Sequence, residues 1–174
     1  MDVMTPQRQL IVMRHAKAGE LPGGPDSERP LRPRGRRNAA AAGKWLTARG
    51  VLPDLVLCST ATRARQTWDC VSGELAGQPH LVRDPRLYQA DATELLAVIG
   101  ETSPEAGTVM YVGHNPAAAD LVEALTGQPV EFPTAAIAII GLRVGWPDLP
   151  GLPVRAADGG CQLIASWTPR ADVG

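Results

Sequence analysis

Short apolar runs alternate with helix-like segments along most of this chain, and that alternation is the feature that most constrains its fold. The apolar runs predict strands at residues 10–13, 54–58, 80–82, 108–112, 135–142 and 161–167. The segments between them predict helices at about residues 34–48, 62–75, 91–99 and 117–125. Strands separated by helices form a largely parallel sheet with helices on both faces. The sequence therefore predicts a three-layer α/β/α sandwich, and its closing strand pair is compatible with an antiparallel arrangement.

Turn and cap residues refine this prediction. Residues 19–30 are rich in Gly and Pro and too polar to predict a packed element. Residues 145–160 have a similar composition and predict a long surface loop. Gly50 is suited to end the first helix, and hydroxyl residues near Thr62 are suited to cap the second.

Size and composition limit the classes of function. A chain of 174 residues is expected to form one domain, spanning residues 1–174. Its 17 basic and 18 acidic residues nearly cancel, which argues against nucleic acid as a partner. No window is apolar enough to span a bilayer, so no membrane partner is expected. Scattered cysteines and the lack of an apolar leader favour a cytoplasmic protein with reduced thiols.

Polar side chains follow several of the predicted strands. Arg14 and His15 come directly after the first strand, Ser59 and Arg63 follow the second, and His114 follows the run 108–112. The carboxyl ends of parallel strands lie at one edge of a sheet, where ligands bind. Two guanidinium groups near helix N-termini describe a phosphate pocket. Thiolates and carboxylates at metal-ligand spacing are absent from these segments, so we expect no metal and no cofactor.

Four segments also resemble the motifs of one family. They are Arg-His-Ala-Lys at residues 14–17, Asp-Ser-Glu-Arg-Pro-Leu at 26–31, Ser-Thr-Ala-Thr-Arg-Ala-Arg-Gln-Thr at 59–67 and Val-Gly-His-Asn-Pro at 112–116. Together they resemble the signatures of the histidine phosphatase (phosphoglycerate mutase-like) superfamily. The segment at 26–31 is similar to the Asp-x-x-Arg-Pro-Leu pattern of its phosphohistidine phosphatase, or SixA-like, branch.

This resemblance implies a fold and a set of roles. The fold is the phosphoglycerate mutase-like sandwich, and the activity is a metal-independent phosphatase reaction through a phosphohistidine enzyme intermediate. His15 is the implied nucleophile, while Arg14, Arg63 and His114 are the implied ligands of the phosphoryl oxygens. Arg29 is a candidate substrate-binding residue. The expected substrate is a phosphohistidine in a partner protein, and the product is inorganic phosphate.

The general acid is where this sequence departs from the wider superfamily. Larger members place a carboxylate that protonates an alkoxide leaving group, and the corresponding stretch here, residues 87–94, offers Asp91 and Glu94 without a clear motif. Acidic residues are also favoured in the first turn of a helix, and we prefer that interpretation for both. If the substrate is a phosphohistidine, the leaving group is an imidazole whose conjugate acid has a pKa near ~6.5, and such a group departs with little help. A weak acid position therefore favours phosphoramidate substrates.

Two alternatives stay open at this point. The first is a broad-specificity hydrolase of small phosphate esters, which would turn over a sugar phosphate faster than a phosphohistidine peptide. The second is a non-catalytic phosphoryl-binding module, which would bind phosphate or vanadate without hydrolysing an activated aryl phosphate.

Overall fold

A computed structural model describes residues 8–152 and 160–170 of the chain. The strands are β1 (Arg8–Arg14), β2 (Leu55–Ser59), β3 (His80–Asp84), β4 (Thr108–Gly113), β5 (Ile137–Leu142) and β6 (Cys161–Trp167). The helices are α1 (Pro33–Ala48), α2 (Thr62–Ser72), α3 (Ala92–Gly100) and α4 (Ala117–Thr126). Short 3-10 turns form at Asp26–Glu28, Pro85–Leu87 and Trp146–Gly151. Within these ranges no helix combines the length and the apolar character needed to cross a bilayer.

The six strands form one sheet in the order β3-β2-β4-β1-β5-β6. The pairs β3-β2, β2-β4 and β4-β1 are parallel, whereas β5 runs antiparallel to both β1 and β6. The predicted mostly parallel sheet and its antiparallel closing pair are therefore confirmed.

Strand β1 shows why the sheet must be covered on both faces. Its side chains alternate between the two faces, and every residue from 10 to 13 is fully buried. Leu10 and Val12 pack in the core beneath α3 and α4, and Ile11 and Met13 pack in the core beneath α1 and α2. A run that is apolar at every position, rather than at alternate ones, is the pattern of a strand buried on both sides. The predicted three-layer sandwich is confirmed.

Helix ends follow the sequence in two cases and depart from it in one. Gly50 has the left-handed φ of 68° that lets the chain leave α1, as predicted. Asp91 caps α3, with its side chain accepting the Glu94 N–H at 2.8 Å. The predicted hydroxyl cap of α2 is wrong, because Ala61 holds the N-cap position without a side-chain bond.

Both loop predictions need correction. Residues 19–30 contain the turn Asp26–Glu28 and are tied to the body of the protein by long-range bonds described below. In the segment 145–160, Trp146 and Leu149 are fully buried, and the Trp146 indole N–H donates to the Ala106 carbonyl at 2.8 Å. This segment is therefore a packed turn rather than a surface loop. Burial of the apolar indole is favourable because its N–H has a hydrogen-bond acceptor. Residues 153–159 lie outside the described part of the chain.

Candidate active site

The register of the two central strands brings both histidines of the motifs together. Arg14, the last residue of β1, lies beside Gly113, the last residue of β4. The next residue on each strand is therefore a histidine, and the His15 N–H donates to the Gly113 carbonyl at 2.8 Å. The centroids of the His15 and His114 rings are 5.3 Å apart. Two segments that are far apart in sequence thus place imidazoles side by side at the carboxyl edge of the sheet.

The His15 ring is held in one tautomer. Its Nδ1 lies 2.8 Å from the Ala16 carbonyl oxygen, and since a carbonyl only accepts, Nδ1 carries the proton and donates it. Nε2 is then the nitrogen with the free electron pair. Burial of the ring lowers the pKa of His15 to about 3, and the nearby His114, Arg63 and Arg14 act in the same direction. His15 is therefore an uncharged, oriented imidazole at neutral pH.

The peptide that orients His15 is itself held by Thr67. The Ala16 N–H donates to Thr67 Oγ1 at 2.9 Å, and this hydroxyl donates to the Arg63 carbonyl at 2.6 Å. Thr67 is fully buried on α2, so its hydroxyl has a fixed direction. A buried hydroxyl with both of its bonds made is a rigid link between α2 and the turn after β1.

His114 is fixed by β2 and β4. Its Nε2 lies 2.8 Å from Ser59 Oγ, and its backbone N–H donates to the Tyr111 hydroxyl at 3.1 Å. Gly113 leaves the space for that hydroxyl, because a Cβ built on Gly113 would collide with it. Burial lowers the pKa of His114 to about 4, and Arg63 contributes in the same direction. His114 Nδ1 has no hydrogen-bond partner among the described residues.

Arg63 lies in the first turn of α2 and is anchored by the loop before α1. It donates to the backbone oxygen of Asp26 at 2.8 Å and to the Asp26 carboxylate at 3.0 Å. The Tyr88 hydroxyl donates to the same carboxylate at 2.5 Å, and the Arg29 Nε donates to its other oxygen at 2.9 Å. These bonds hold the pKa of the Asp26 carboxyl well below its usual range, and the bond from Tyr88 contributes most. Asp26 is thus an ionised carboxylate that fixes two arginines.

Arg14 and Asn115 share one backbone acceptor. Arg14 Nη1 donates to the Phe132 carbonyl at 3.2 Å, and Asn115 Nδ2 donates to the same oxygen at 2.8 Å. Burial lowers the pKa of Arg14, although an arginine remains charged at any physiological pH. Both side chains are therefore tied to the same backbone carbonyl at the edge of the sheet.

Arg29 lies at the rim. Its Nη1 donates to the Gly19 carbonyl at 3.1 Å, and its side chain is 33% exposed. The end of this loop is tied to α2 because the Leu31 N–H donates to Gln66 Oε1 at 2.8 Å. Arg29, the predicted substrate-binding residue, therefore lies in a loop that is held in place by hydrogen bonds.

These side chains surround a cavity of about 300 Å³, which we call the cationic cavity. It is lined by four cationic side chains, both imidazoles and three smaller residues: Arg14, Lys17, Arg29, Arg63, His15, His114, Ala18, Asn115 and Thr134. No carboxylate is among these lining residues, so the cavity suits an anion. All five residues that the sequence singled out contribute to it. In the described part of the chain, no three His, Cys, Asp or Glu side chains are placed to hold a metal ion.

The two carboxylates considered as general acids are engaged at a helix end. Asp91 and Glu94 form a reciprocal capping box at the start of α3, in which the Asp91 N–H donates to Glu94 Oε2 at 2.9 Å. Neither residue lines the cationic cavity. Their sequence positions are thus accounted for by helix capping, the interpretation that we preferred.

Sequence reasoning missed the residues that support the histidines. Gln66 and Thr67 belong to the motif at 59–67, so the sequence marks both residues as candidates. It does not reveal which groups they bond. The sequence indicates Tyr111 only as a strand residue, although Gly113, two residues further on, permits the close approach of the tyrosine hydroxyl. The Asp26 bridge joins residues 37 apart in sequence, which no local pattern reveals.

Comparison with known proteins agrees with this arrangement. The model of the histidine phosphatase superfamily (branch 1) matches residues 10–95. An uncharacterized protein of Mycobacterium tuberculosis is 36% identical over 151 residues, which cover 80% of this chain and 93% of that protein. A structure from Nakamurella multipartitia, whose proposed identity is phosphohistidine phosphatase SixA, is 32% identical with a TM-score of 0.79, covering 94% of this chain and 97% of that one. The protein histidine phosphatase SixA complexed with tungstate is 26% identical with a TM-score of 0.75, covering 91% and 95%.

The sheet, the paired histidines and these relatives agree with one another. The chain belongs to the histidine phosphatase superfamily. The match to this superfamily and the similarity to the SixA structures support its classification as a phosphatase. Within that class it is SixA-like, since the SixA structures match more than nine-tenths of its length.

Proposed function

We propose that this protein is a phosphohistidine phosphatase that removes the phosphoryl group from a histidine of a partner protein, with His15 as the nucleophile. The observation that carries the proposal is the bond of 2.8 Å between His15 Nδ1 and the Ala16 carbonyl. It leaves an uncharged Nε2 beside a cavity lined by cations. A SixA relative forms a complex with tungstate, a tetrahedral oxyanion like phosphate, which supports a phosphoryl group as the ligand.

The first step transfers the phosphoryl group to the enzyme. The electron pair of His15 Nε2 forms a bond to phosphorus while the bond between phosphorus and the substrate imidazole breaks. The electron pair of the broken bond goes to the substrate nitrogen, and the ring leaves as neutral imidazole because its other nitrogen carries a proton. Arg14, Arg63 and His114 hold the three phosphoryl oxygens while charge moves across them.

The second step releases phosphate. Water attacks the phosphorus of phosphorylated His15, the bond from phosphorus to Nε2 breaks, and its electron pair returns to the ring. The water loses a proton to solvent, and inorganic phosphate leaves. The proton stays on Nδ1 and is donated to the Ala16 carbonyl throughout, so the ring needs no change of tautomer to begin another cycle.

The surroundings of the cavity favour an imidazole over an alkoxide as leaving group. Asp26 is ionised and bonded to Tyr88, Arg29 and Arg63, so it has no proton to give. Asp91 and Glu94 cap α3 instead. An alkoxide needs a donated proton, whereas an imidazole departs without one. We therefore infer a preference for phosphohistidine over sugar phosphates.

Turnover of matched substrates tests the proposal. We expect a phosphohistidine peptide to be hydrolysed with a kcat/KM at least tenfold above that of a sugar phosphate. A dominant sugar-phosphate activity would establish the ester hydrolase instead. Binding of phosphate with no turnover of either substrate, or of an activated aryl phosphate, would establish a non-catalytic module.

Two variants and one matched control test the roles of the residues. We expect His15→Ala to abolish turnover and the acid-labile label that wild type acquires from a phosphohistidine donor. Arg63→Ala should lower kcat by about 10²–10³, the cost of losing one preorganised donor. Arg65→Ala is the control, because Arg65 donates to Thr62 outside the cationic cavity and should leave kcat within about twofold. Excess chelator should not change turnover, and loss of activity that added metal restores would refute metal independence.

A further inference from the structure

A second cavity of about 270 Å³ adjoins the cationic cavity and shares two of its lining residues, His114 and Asn115. We call it the acidic cavity. Its other walls are the segment after β3 and the first turn of α4: Tyr88, Gln89, Ala90, Asp91, Pro116, Ala117 and Asp120. Its volume is just below the roughly 300–1,000 Å³ of typical ligand sites, so it suits one side chain rather than a whole ligand.

The two cavities have opposite charge. Four cationic side chains line the first, whereas two carboxylates and no lysine or arginine are among the lining residues of the second. Asp120 is exposed, and its carboxylate has no hydrogen-bond or ion-pair partner in residues 8–152 or 160–170, so no protein cation neutralises its charge. Asp91 uses one carboxylate oxygen, Oδ1, to cap α3, and its second oxygen remains available to a ligand. A bound group would therefore meet a change from positive to negative potential on crossing His114 and Asn115.

The start of α4 does not offset this negative charge. A helix N-terminus attracts anions through its unpaired N–H groups. Here the Ala118 N–H already donates to the His114 carbonyl at 2.8 Å, and the Ala119 N–H donates to Asn115 Oδ1 at 3.3 Å. Two of the donors that would hold an anion are thus already bonded, which leaves the carboxylates dominant.

Tyr88 adds a wall of fixed position. Its ring packs edge-on against His114 at 5.6 Å between centroids, and its hydroxyl is held by Asp26. The Arg63 guanidinium already lies 5.9 Å from the Tyr88 ring centroid, so this ring offers apolar contact to the stem of a lysine or arginine, while the carboxylates attract its charged end.

We propose that the acidic cavity binds a lysine or arginine next to the phosphorylated histidine of the partner protein. The inference rests on the proposed function, because it places the phosphoryl group in the cationic cavity. A basic neighbour would then extend over His114 and Asn115 toward Asp120. The protein would in this way select basic sequences around the phosphohistidine, although the phosphoryl pocket itself is cationic.

Three phosphohistidine peptides that differ only in the neighbouring residue test this inference. We expect kcat/KM to fall in the order Lys, Gln, Glu, with about a three- to tenfold span between Lys and Glu for exposed carboxylates. The span should shrink as salt shortens the screening length. Asp120→Asn should reduce the span, and Asp120→Lys should reverse the order.

Glu123→Gln is the matched control, because it removes the same charge from α4 one turn further on, outside the acidic cavity. It should leave the order and the span unchanged. The inhibition constant of inorganic phosphate, measured in every variant, reports on the cationic cavity and should stay within about twofold. Equal turnover of all three peptides, or the same order in Asp120→Lys, would overturn the subsite and leave the proposed function intact. Hydrolysis of none of the peptides would overturn both.

Discussion

The uncharged state of His15 should make the protein lose stability as the pH falls below neutral. The folded-state pKa of His15 is about 3, whereas an unfolded histidine titrates near ~6.5. Between these values the unfolded chain binds a proton that the folded protein does not. The free energy of unfolding therefore falls with falling pH, by about 1.4 kcal/mol per pH unit for one such group.

The variant His15→Asn isolates this contribution. Asn keeps a donor for the Ala16 carbonyl but does not titrate, so carboxylate titrations cancel between the two proteins. From pH 7 to pH 4.5, two units below the unfolded pKa, wild type should lose roughly 2–3 kcal/mol more than the variant. His114, with a pKa of about 4, stays largely uncharged in both proteins over this range.

Urea unfolding of both proteins at the two pH values measures the difference. Spectra of the His15 ring nitrogens supply a second readout, and they should show a neutral ring protonated at Nδ1 down to about pH 4.5. A stability difference that does not change with pH, or a ring that titrates near its ordinary value, would refute the proposed electrostatics. The His15 ring would then be too well hydrated for its burial and the neighbouring cations to lower its pKa.

Three further outcomes follow from the contacts. Thr67→Val leaves the Ala16 N–H unpaired, so we expect about 1–3 kcal/mol of lost stability and a tenfold or larger fall in kcat, with Thr67→Ser restoring most of both. Gly113→Ala places a Cβ against the buried Tyr111 hydroxyl and should cost about 1–3 kcal/mol in urea unfolding, whereas Gly151→Ala, with open space around it, should change stability by less than about 0.5 kcal/mol. Arg29→Ala should raise KM severalfold with little change in kcat, because Arg29 lies at the exposed rim; a large fall in kcat would contradict that placement.

The layers and the sheet edge could be predicted because they depend on local periodicity. The fully apolar run before Arg14 and the similar run before His114 identify strands buried on both faces. The rule that parallel strands end at one edge then brings their next residues together. Neither step needs knowledge of a distant contact.

Contacts between segments that share no sequence pattern could not be predicted from the sequence. Trp146 lies in a stretch rich in Gly and Pro, yet its indole is buried and bonded to Ala106. Asp26 lies in a polar loop, yet its carboxylate joins Arg29, Arg63 and Tyr88. Composition describes the average surroundings of such segments, whereas one long-range bond decides where each residue lies.

The spacing within the second motif has a physical explanation that the sequence alone did not reveal. Arg63, Gln66 and Thr67 stand at i, i+3 and i+4 on α2, and such residues share one face of a helix. That single face holds an arginine for the cationic cavity, the acceptor for the Leu31 N–H and the hydroxyl for the Ala16 N–H. A small rotation of α2 would therefore displace the anion ligand, the loop wall and the peptide that orients His15 together. Substitutions at Gln66 and Thr67 should for this reason be coupled rather than additive in their effect on kcat.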